Sequence, residues 1–366
     1  MGLTKGTITF TRYRIEGNQP DNFPDFLDRQ IKLFAFKETV ALREKATGWT
    51  SLDNVLDTNF EYASYSLGNY VVFSFRIDRA VIPAALLKLK VLEAERRYMA
   101  EQKKEKLYRE ERNNIKESIR RKLLENVAPV PSFYDICWCP SENWLIFGSL
   151  AEKITIDFEE LFKRSFNLKP FPYTPWDEKK SGATPAPPAE EAPRDTASGA
   201  LSLPGRDFLT WLWFKSEERN GSIMIPGIGD IELIFLQRLV LESGEGEYSE
   251  TVVCRGLHAD LSEGKTALRK EKKIKEARLR LTVGNDQMEF TFKADRFQFQ
   301  SLKILADFTE DETTEEEKEG RMLERIYYIE RAVTTMEKLF SLFLERRLSP
   351  QWEHEEMPKI KTWISH

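Results

Sequence analysis

Gly264-Lys265-Thr266 has the ending of a phosphate-binding loop, in which a glycine-rich turn wraps backbone N–H groups around a phosphate chain and the lysine reaches it. The first glycine of that motif falls at position 259, where the chain has Ala259, so the cradle is lost and nucleotide hydrolysis is not expected. Asp260, Glu263 and Lys265 offer the carboxylates and amine with which metal-dependent nucleases hold a metal ion and a water. The pattern is short and falls on an expected helix start. Cys137 and Cys139 lie two apart on an expected strand and share a face, and Cys254 sits near His258. A structural zinc site takes four ligands in tighter pairs, so the cysteines read as core residues. His258, His354 and His366 have no acid or nucleophile at a spacing that makes a triad. No metal or other cofactor is expected.

What remains is cationic. Lys103, Lys104, Lys106, Arg109, Arg112, Lys116, Arg120 and Arg121 crowd one stretch, and Lys265, Arg269, Lys270, Lys272, Lys273 and Lys275 form a second cluster. Such side chains hold phosphates as point charges or forks and do not select sequence. The formal net charge of −5 over 366 residues does not advertise a nucleic-acid binder. The signs are segregated, however, with basic residues at 96–122 and 265–280 and acidic ones at 307–319, so local fields matter more than the sum. Glu101, Glu105, Glu110, Glu111 and Glu117 are interleaved with the first cluster, which leaves open a merely solvated hairpin.

The first cluster must ride on a helical arm. From Ala84 to Asn126 no Gly or Pro interrupts the chain, and strong helix formers follow Pro83. Asn114, with Glu117 three residues later, has the form of an N-cap and its capping-box partner, so the arm reads as a hairpin broken at Asn113-Asn114. The returning helix carries Ile115, Ile119 and Leu123 on one face. Before the arm, Thr7–Tyr13 and Tyr70–Ile77 read as strands and Phe23–Phe36 as a helix, with Gly48-Trp49 closing a polar segment. After it, Phe133–Trp138 and Trp144–Gly148 suit a hairpin backed by an amphipathic helix at Ile156–Phe166. These make a first α/β unit from 1–83 and 127–176, with the finger at 84–126.

Residues 177–204, rich in Pro, Ala and Glu, read as a disordered linker. The second α/β unit, 205–306, opens with a buried helix at Asp207–Phe214. Strands at Ile231–Leu236, Arg238–Leu241 and Glu250–Leu257 follow, then a basic helix near 259–273 and strands at Ala277–Val283, Met288–Phe292 and Phe297–Phe299. An acidic loop at 307–319 and one long helix, with Leu323, Ile326, Tyr327, Ile329, Val333, Met336, Phe340, Phe343 and Leu344 as its apolar stripe, complete 307–366. The fold class is α/β (α+β), two sheet-and-helix units with a projecting finger and a C-terminal helix. Three cysteines, and apolar runs far too short to span a bilayer, point to a soluble protein of a reducing compartment. The opening residues lack the Ser or Thr of a myristoylation signal.

Taken together, these landmarks resemble the RdgC family of recombination-associated DNA-binding proteins. The likeness runs through Ile82-Pro83, Leu92–Glu95, Asn114–Glu117 to Leu123-Leu124, Asp135–Trp138 and Trp144–Phe147, with Gly48-Trp49 before them. Leu209-Thr210-Trp211 and His258 through Lys265 follow in order. The resemblance implies a subunit with a helical finger, two of which close into a ring around duplex DNA without sequence preference and restrain RecA-mediated strand exchange. It implies a cytoplasmic, nucleoid-associated homodimer without an enzymatic role, and puts Lys265 on the family's Gly-Lys position. Where the family has Leu-Leu-Pro-x-Ala-Phe, this chain has Leu123-Leu124-Glu125-Asn126-Val127-Ala128, with no Phe to lock one finger tip to the other. A metal-dependent nuclease and a scaffold whose arm binds an acidic protein are the alternatives.

Overall fold

Alternating β-branched and aromatic residues set the strands of this protein, and three- and four-residue apolar spacing sets its helices. The structure, a computed structural model, describes residues 2–38, 45–176, 204–218, 221–243, 249–255, 262–306 and 314–365. The expected linker lies outside the described residues up to 203, as do His258, Ala259, Asp260, His366 and the first part of the acidic stretch. In chain order the elements are β1 (Ile8–Glu16), α1 (Phe23–Leu33), β2 (Lys45–Thr50), β3 (Ser66–Leu67), β4 (Tyr70–Arg79), α2 (Ala84–Glu101), α3 (Arg109–Leu124), β5 (Val130–Cys139), β6 (Trp144–Phe147), α4 (Glu152–Phe166) and β7 (Lys169–Pro172). They continue with α5 (Pro204–Glu218), β8 (Ser222–Ile225), β9 (Gly229–Glu242), β10 (Thr251–Arg255), α6 (Ser262–Arg269), β11 (Lys273–Val283), β12 (Asp286–Lys293), β13 (Gln298–Ile304), α7 (Glu315–Leu348) and α8 (Met357–Ser365). Helices and antiparallel strands in these proportions make an α/β protein. No helix is long and apolar enough to cross a membrane, among the described residues.

Contacts group the chain into two units that do not follow its order: residues 1–16, 137–156 and 170–366 form one, and 17–136 with 157–169 the other. Strand β1, expected with the N-terminal unit, joins the C-terminal elements. It pairs antiparallel with β13 (Ile8↔Leu302, Phe10↔Phe299) on one side and with β6 (Thr11↔Phe147 to Arg14↔Trp144) on the other. Sheet edges are satisfied by whichever strand supplies matching N–H and C=O groups, at any distance in sequence.

The larger unit is an antiparallel sheet in the order β10-β9-β11-β12-β13-β1-β6, with β8 beside β9 and β7 beside β1. The two strands expected at Ile231–Leu236 and Arg238–Leu241 are one continuous β9. Register irregularities in its pairing with β11 absorb the break in alternation. Helices α5 and α7 bury aromatic faces: Phe208 meets Phe292, Phe340 and Phe343 at 5.3–6.3 Å between centroids. Of the apolar stripe expected on α7, Leu323 and Tyr327 stay exposed, while Met322, Ala332 and Leu339 are buried instead. Glu315–Glu319, expected in the acidic loop, form the start of this helix. Thr314 Oγ1 accepts from the Glu317 N–H at 3.3 Å, the Glu317 carboxylate accepts from the Thr314 N–H at 3.0 Å, and acid in a first turn suits the helix dipole.

The smaller unit centres on Trp49, fully buried in β2 among Phe73, Phe75, Phe158 and Phe166, with its indole N–H donating to Ser165 Oγ at 2.9 Å. Its sheet places β4 between β2 and β5, with β3 also on β4. Gly48 is required because β2 presses on the chain leaving α1. A Cβ there would stand 2.3 Å from the Phe36 Cα. The Phe36 N–H donates to the Trp49 carbonyl at 2.8 Å, which fixes that approach. From this unit α2 and α3 leave as an antiparallel pair.

Candidate nucleic-acid interface

Neither α2 nor α3 has a single buried residue. Leu87, Val91, Ala94 and Tyr98 on one helix and Ile115, Ile119 and Leu123 on the other are among the half-buried residues that form the seam between them. A helix pair so lightly packed gives the rest of its surface to water. Over 84–124 there are 13 Lys and Arg against 7 Glu, a local charge of +6 in a chain whose total is −5.

The break between the helices is not where the sequence places it. Asn113 and Asn114 lie inside α3, and the turn occupies 102–108, with Lys103 in the left-handed region at φ 52°. Glu111 decides this. Its carboxylate accepts from the Tyr108 N–H at 3.0 Å, takes Lys104 Nζ at 2.5 Å and lies 3.5 Å from the Tyr98 hydroxyl, so one side chain caps α3 and ties it to α2. Asn114 with Glu117 offers a cap but no such anchor on the facing helix. The ammonium of Lys104 and the Tyr108 N–H hold the Glu111 carboxyl below its ordinary range, and Glu111 raises Lys104 in turn. The segment Leu123–Ala128, where the family's tip phenylalanine is missing, begins in the last turn of α3 and leads into β5. It is the root of the finger, and the tip carries Leu107 and Tyr108, the latter 77 % exposed.

Arg109, Arg112, Lys116 and Arg120 fall three and four residues apart and line one face of α3 beside the apolar seam, over about 16 Å. All four are exposed. Lys106, Arg109, Lys116 and Arg121 make no ion pair among the described residues, and Lys103 stands exposed in the turn. Arg112 reaches Glu95 only at 4.0 Å. Arg96, Arg97 and Lys88 on α2 and Lys122 on α3 are exposed as well and belong to the same basic surface. The Arg96-Arg97 doublet was the signal for the first two. Lys104 has a short ion pair with Glu111.

The second cluster is different: most of it is engaged inside its own unit. Helix α6 stops at Arg269, with Glu271 at φ 60°, so Lys272 and Lys273 leave the expected basic helix. Lys272 is buried against the Glu250 carboxylate at 2.8 Å, Lys273 takes Asp207 at 3.0 Å and Lys275 takes Glu242 at 3.0 Å. Lys265 pairs with Glu217 at 3.0 Å, and Arg269 donates to the carbonyls of Ile364 and Ser365. Lys270 is exposed and makes no ion pair among the described residues.

Of the residues that suggested catalysis, Gly264 and the cysteines have structural work. Gly264 is buried, and a Cβ on it would stand 2.8 Å from Leu239 and 3.0 Å from the Trp213 ring, so this glycine lets α6 sit on β9 and α5. Cys137, Cys139 and Cys254 are buried free thiols, and burial pushes the Cys137 and Cys254 thiols up, away from the reactive thiolate. Among the described residues no group of three or more His, Cys, Asp or Glu could hold a metal ion. Glu263 is exposed on α6.

Comparison with known proteins adds one match. The family model described as "Putative exonuclease, RdgC" covers residues 10–184, a span that holds most of β1, the Trp49 core, the whole finger and β5–β7. A search of curated proteins found no match to the chain. Residues 10–184, just under half of the chain, are therefore similar to the RdgC family.

Proposed function

We propose that this protein binds double-stranded DNA without sequence preference through its α2–α3 finger, and that it acts as a clamp-like homodimer that restrains RecA-dependent recombination. The observation that carries the reading is the row Arg109, Arg112, Lys116 and Arg120, exposed on a hairpin that buries nothing and keeps a charge of +6. Structural hairpins justify themselves by an apolar face against the fold. This one has only its own seam, and its cations stand at the spacing of a helix laid along an anionic rod. Glu111 is taken up in holding the two helices together, and over the pair the exposed cations still outnumber the exposed carboxylates.

The test is fluorescence anisotropy of a labelled mixed-sequence duplex, without divalent metal, over a salt series. Steep weakening with salt and indifference to sequence are expected, because each neutralised phosphate releases counterions. Absence of binding at low salt overturns the reading. Retention on closed circles compared with linear DNA tests the clamp, and sedimentation tests the dimer. The family's description names an exonuclease; incubation of the labelled duplex with Mg²⁺ or Mn²⁺ decides whether cleavage accompanies binding here.

A further inference from the structure

The cations that the sequence marks at 265 and 269 are covered by one element of their own unit. Helix α8 lies against α5 and α6. Its last carbonyls, those of Ile364 and Ser365, accept from Arg269 at 2.7 and 3.0 Å. Its Trp363 ring lies 4.9 Å from Lys265 Nζ and meets the rings of Trp213 at 5.0 Å and Phe214 at 5.8 Å. The Trp363 N–H donates to Glu217 at 2.6 Å, the carboxylate that also takes Lys265. Just ahead of α8, the Glu356 carboxylate takes Lys215 at 2.9 Å.

The groups that the C-terminal segment presents here are partial negative charge at a helix C-terminus, a carboxylate and an aromatic face. A nucleic-acid strand offers the same set: anionic oxygens to Lys and Arg, and a base face to an aromatic floor. The hold is light. Only Ile360 of α8 is buried, Trp363 is half-buried and the Arg269 bonds are exposed. Elements with so few buried apolar contacts open locally far more often than the fold as a whole.

We propose that α8 is a displaceable cover over a single-stranded DNA site, in which Lys215, Lys265 and Arg269 take phosphates and Trp213 and Phe214 stack an unpaired base. A duplex keeps its base faces inside the stack, so the aromatic floor selects a single strand. The site goes beyond the duplex binding assigned to the finger and does not depend on it.

The experiment compares full-length protein with Ile360→Asp, with Trp363→Ala, and with Glu217→Ala, a surface change that frees Lys265 and leaves the Trp213 core in place. Each is titrated against a labelled oligo-dT strand and against a labelled duplex, and trypsin cleavage after Lys359 and Lys361 reports release of α8. Release should tighten single-strand binding at least about tenfold, the worth of one stacked base alone, with the three phosphate contacts adding to it and duplex binding changed less than about twofold. Adding Lys265→Glu and Arg269→Glu to the released variant should abolish the gain. A released α8 with no gain, or a gain that survives the double reversal, overturns the proposal. If the core substitutions unfold the protein, Glu217→Ala decides: it must tighten single-strand binding in the same direction. Loss of duplex binding in every form would instead count against the finger.

Discussion

Charge reversal at Lys106, Arg109 and Lys116 is the sharpest perturbation that the finger permits. All three are exposed, make no ion pair among the described residues and lie outside the α2–α3 seam, so Lys106→Glu, Arg109→Glu and Lys116→Glu together should leave the fold intact. If each cation neutralises one phosphate, the salt dependence of log K loses about 0.9 per contact, or about 2.7 for the three. Near 0.1 M salt the same counting makes each contact worth about 0.9 decade, so affinity should fall at least several hundredfold, roughly 4 kcal/mol. Repulsion by the new carboxylates makes this a lower bound. The assay is duplex anisotropy between 50 and 300 mM salt, with circular dichroism to confirm helix content. The matched control reverses Lys153, Lys303 and Lys338, which are equally exposed but stand elsewhere. Delocalised attraction to net charge would make the two triple variants lose affinity alike. An unchanged salt slope in the finger variant, or an equal loss in the control, refutes the assignment.

Other perturbations test the scaffold that holds the finger. Gly48→Ala puts a methyl 2.3 Å from the Phe36 backbone, where no side chain can yield, and should cost at least about 2 kcal/mol in urea unfolding. Arg206→Met strips a buried guanidinium from Asp295 and Glu242, 2.6 and 2.9 Å away, and should cost about 2 kcal/mol because Asp295 loses its charged hydrogen-bond partner while Glu242 keeps Lys275. An unchanged urea midpoint in either variant refutes its reasoning. For Glu111 the folded carboxyl lies below its ordinary range, so its stabilisation of the finger is present at neutral pH and is lost as pH falls through that lowered value. Hydrogen exchange over 84–124, corrected for intrinsic rates, should accelerate there in acid. Glu111→Gln should remove the dependence, and an unaltered profile in that variant counts against the capping role.

The sequence determined the local parts of this protein. Alternation and aromatic content located β1, β4, β6, β11 and β12 within a few residues, and Ile115, Ile119 and Leu123 correctly marked the inner face of the returning helix. The finger itself was legible because more than forty residues without Gly or Pro, rich in charge, can do little else than form helices. What the sequence misplaced depends on partners far away in the chain. The finger turns at 102–108 and not at Asn113-Asn114, because Glu111 finds Lys104 and Tyr98 on the facing helix, and a cap with a tertiary anchor outweighs one without. Strand β1 belongs with β13, almost three hundred residues on, because a sheet edge is completed by shape and hydrogen bonds and not by sequence distance. Only the tertiary structure separates the two basic clusters. In both, the residue types and spacing suit phosphate, but Lys106, Arg109, Lys116 and Arg121 of the finger are exposed with no ion pair among the described residues, whereas Lys265, Arg269, Lys272 and Lys273 already have carboxylates or carbonyls. Charge is written in the sequence; whether it is spent inside the fold is decided by what packs against it.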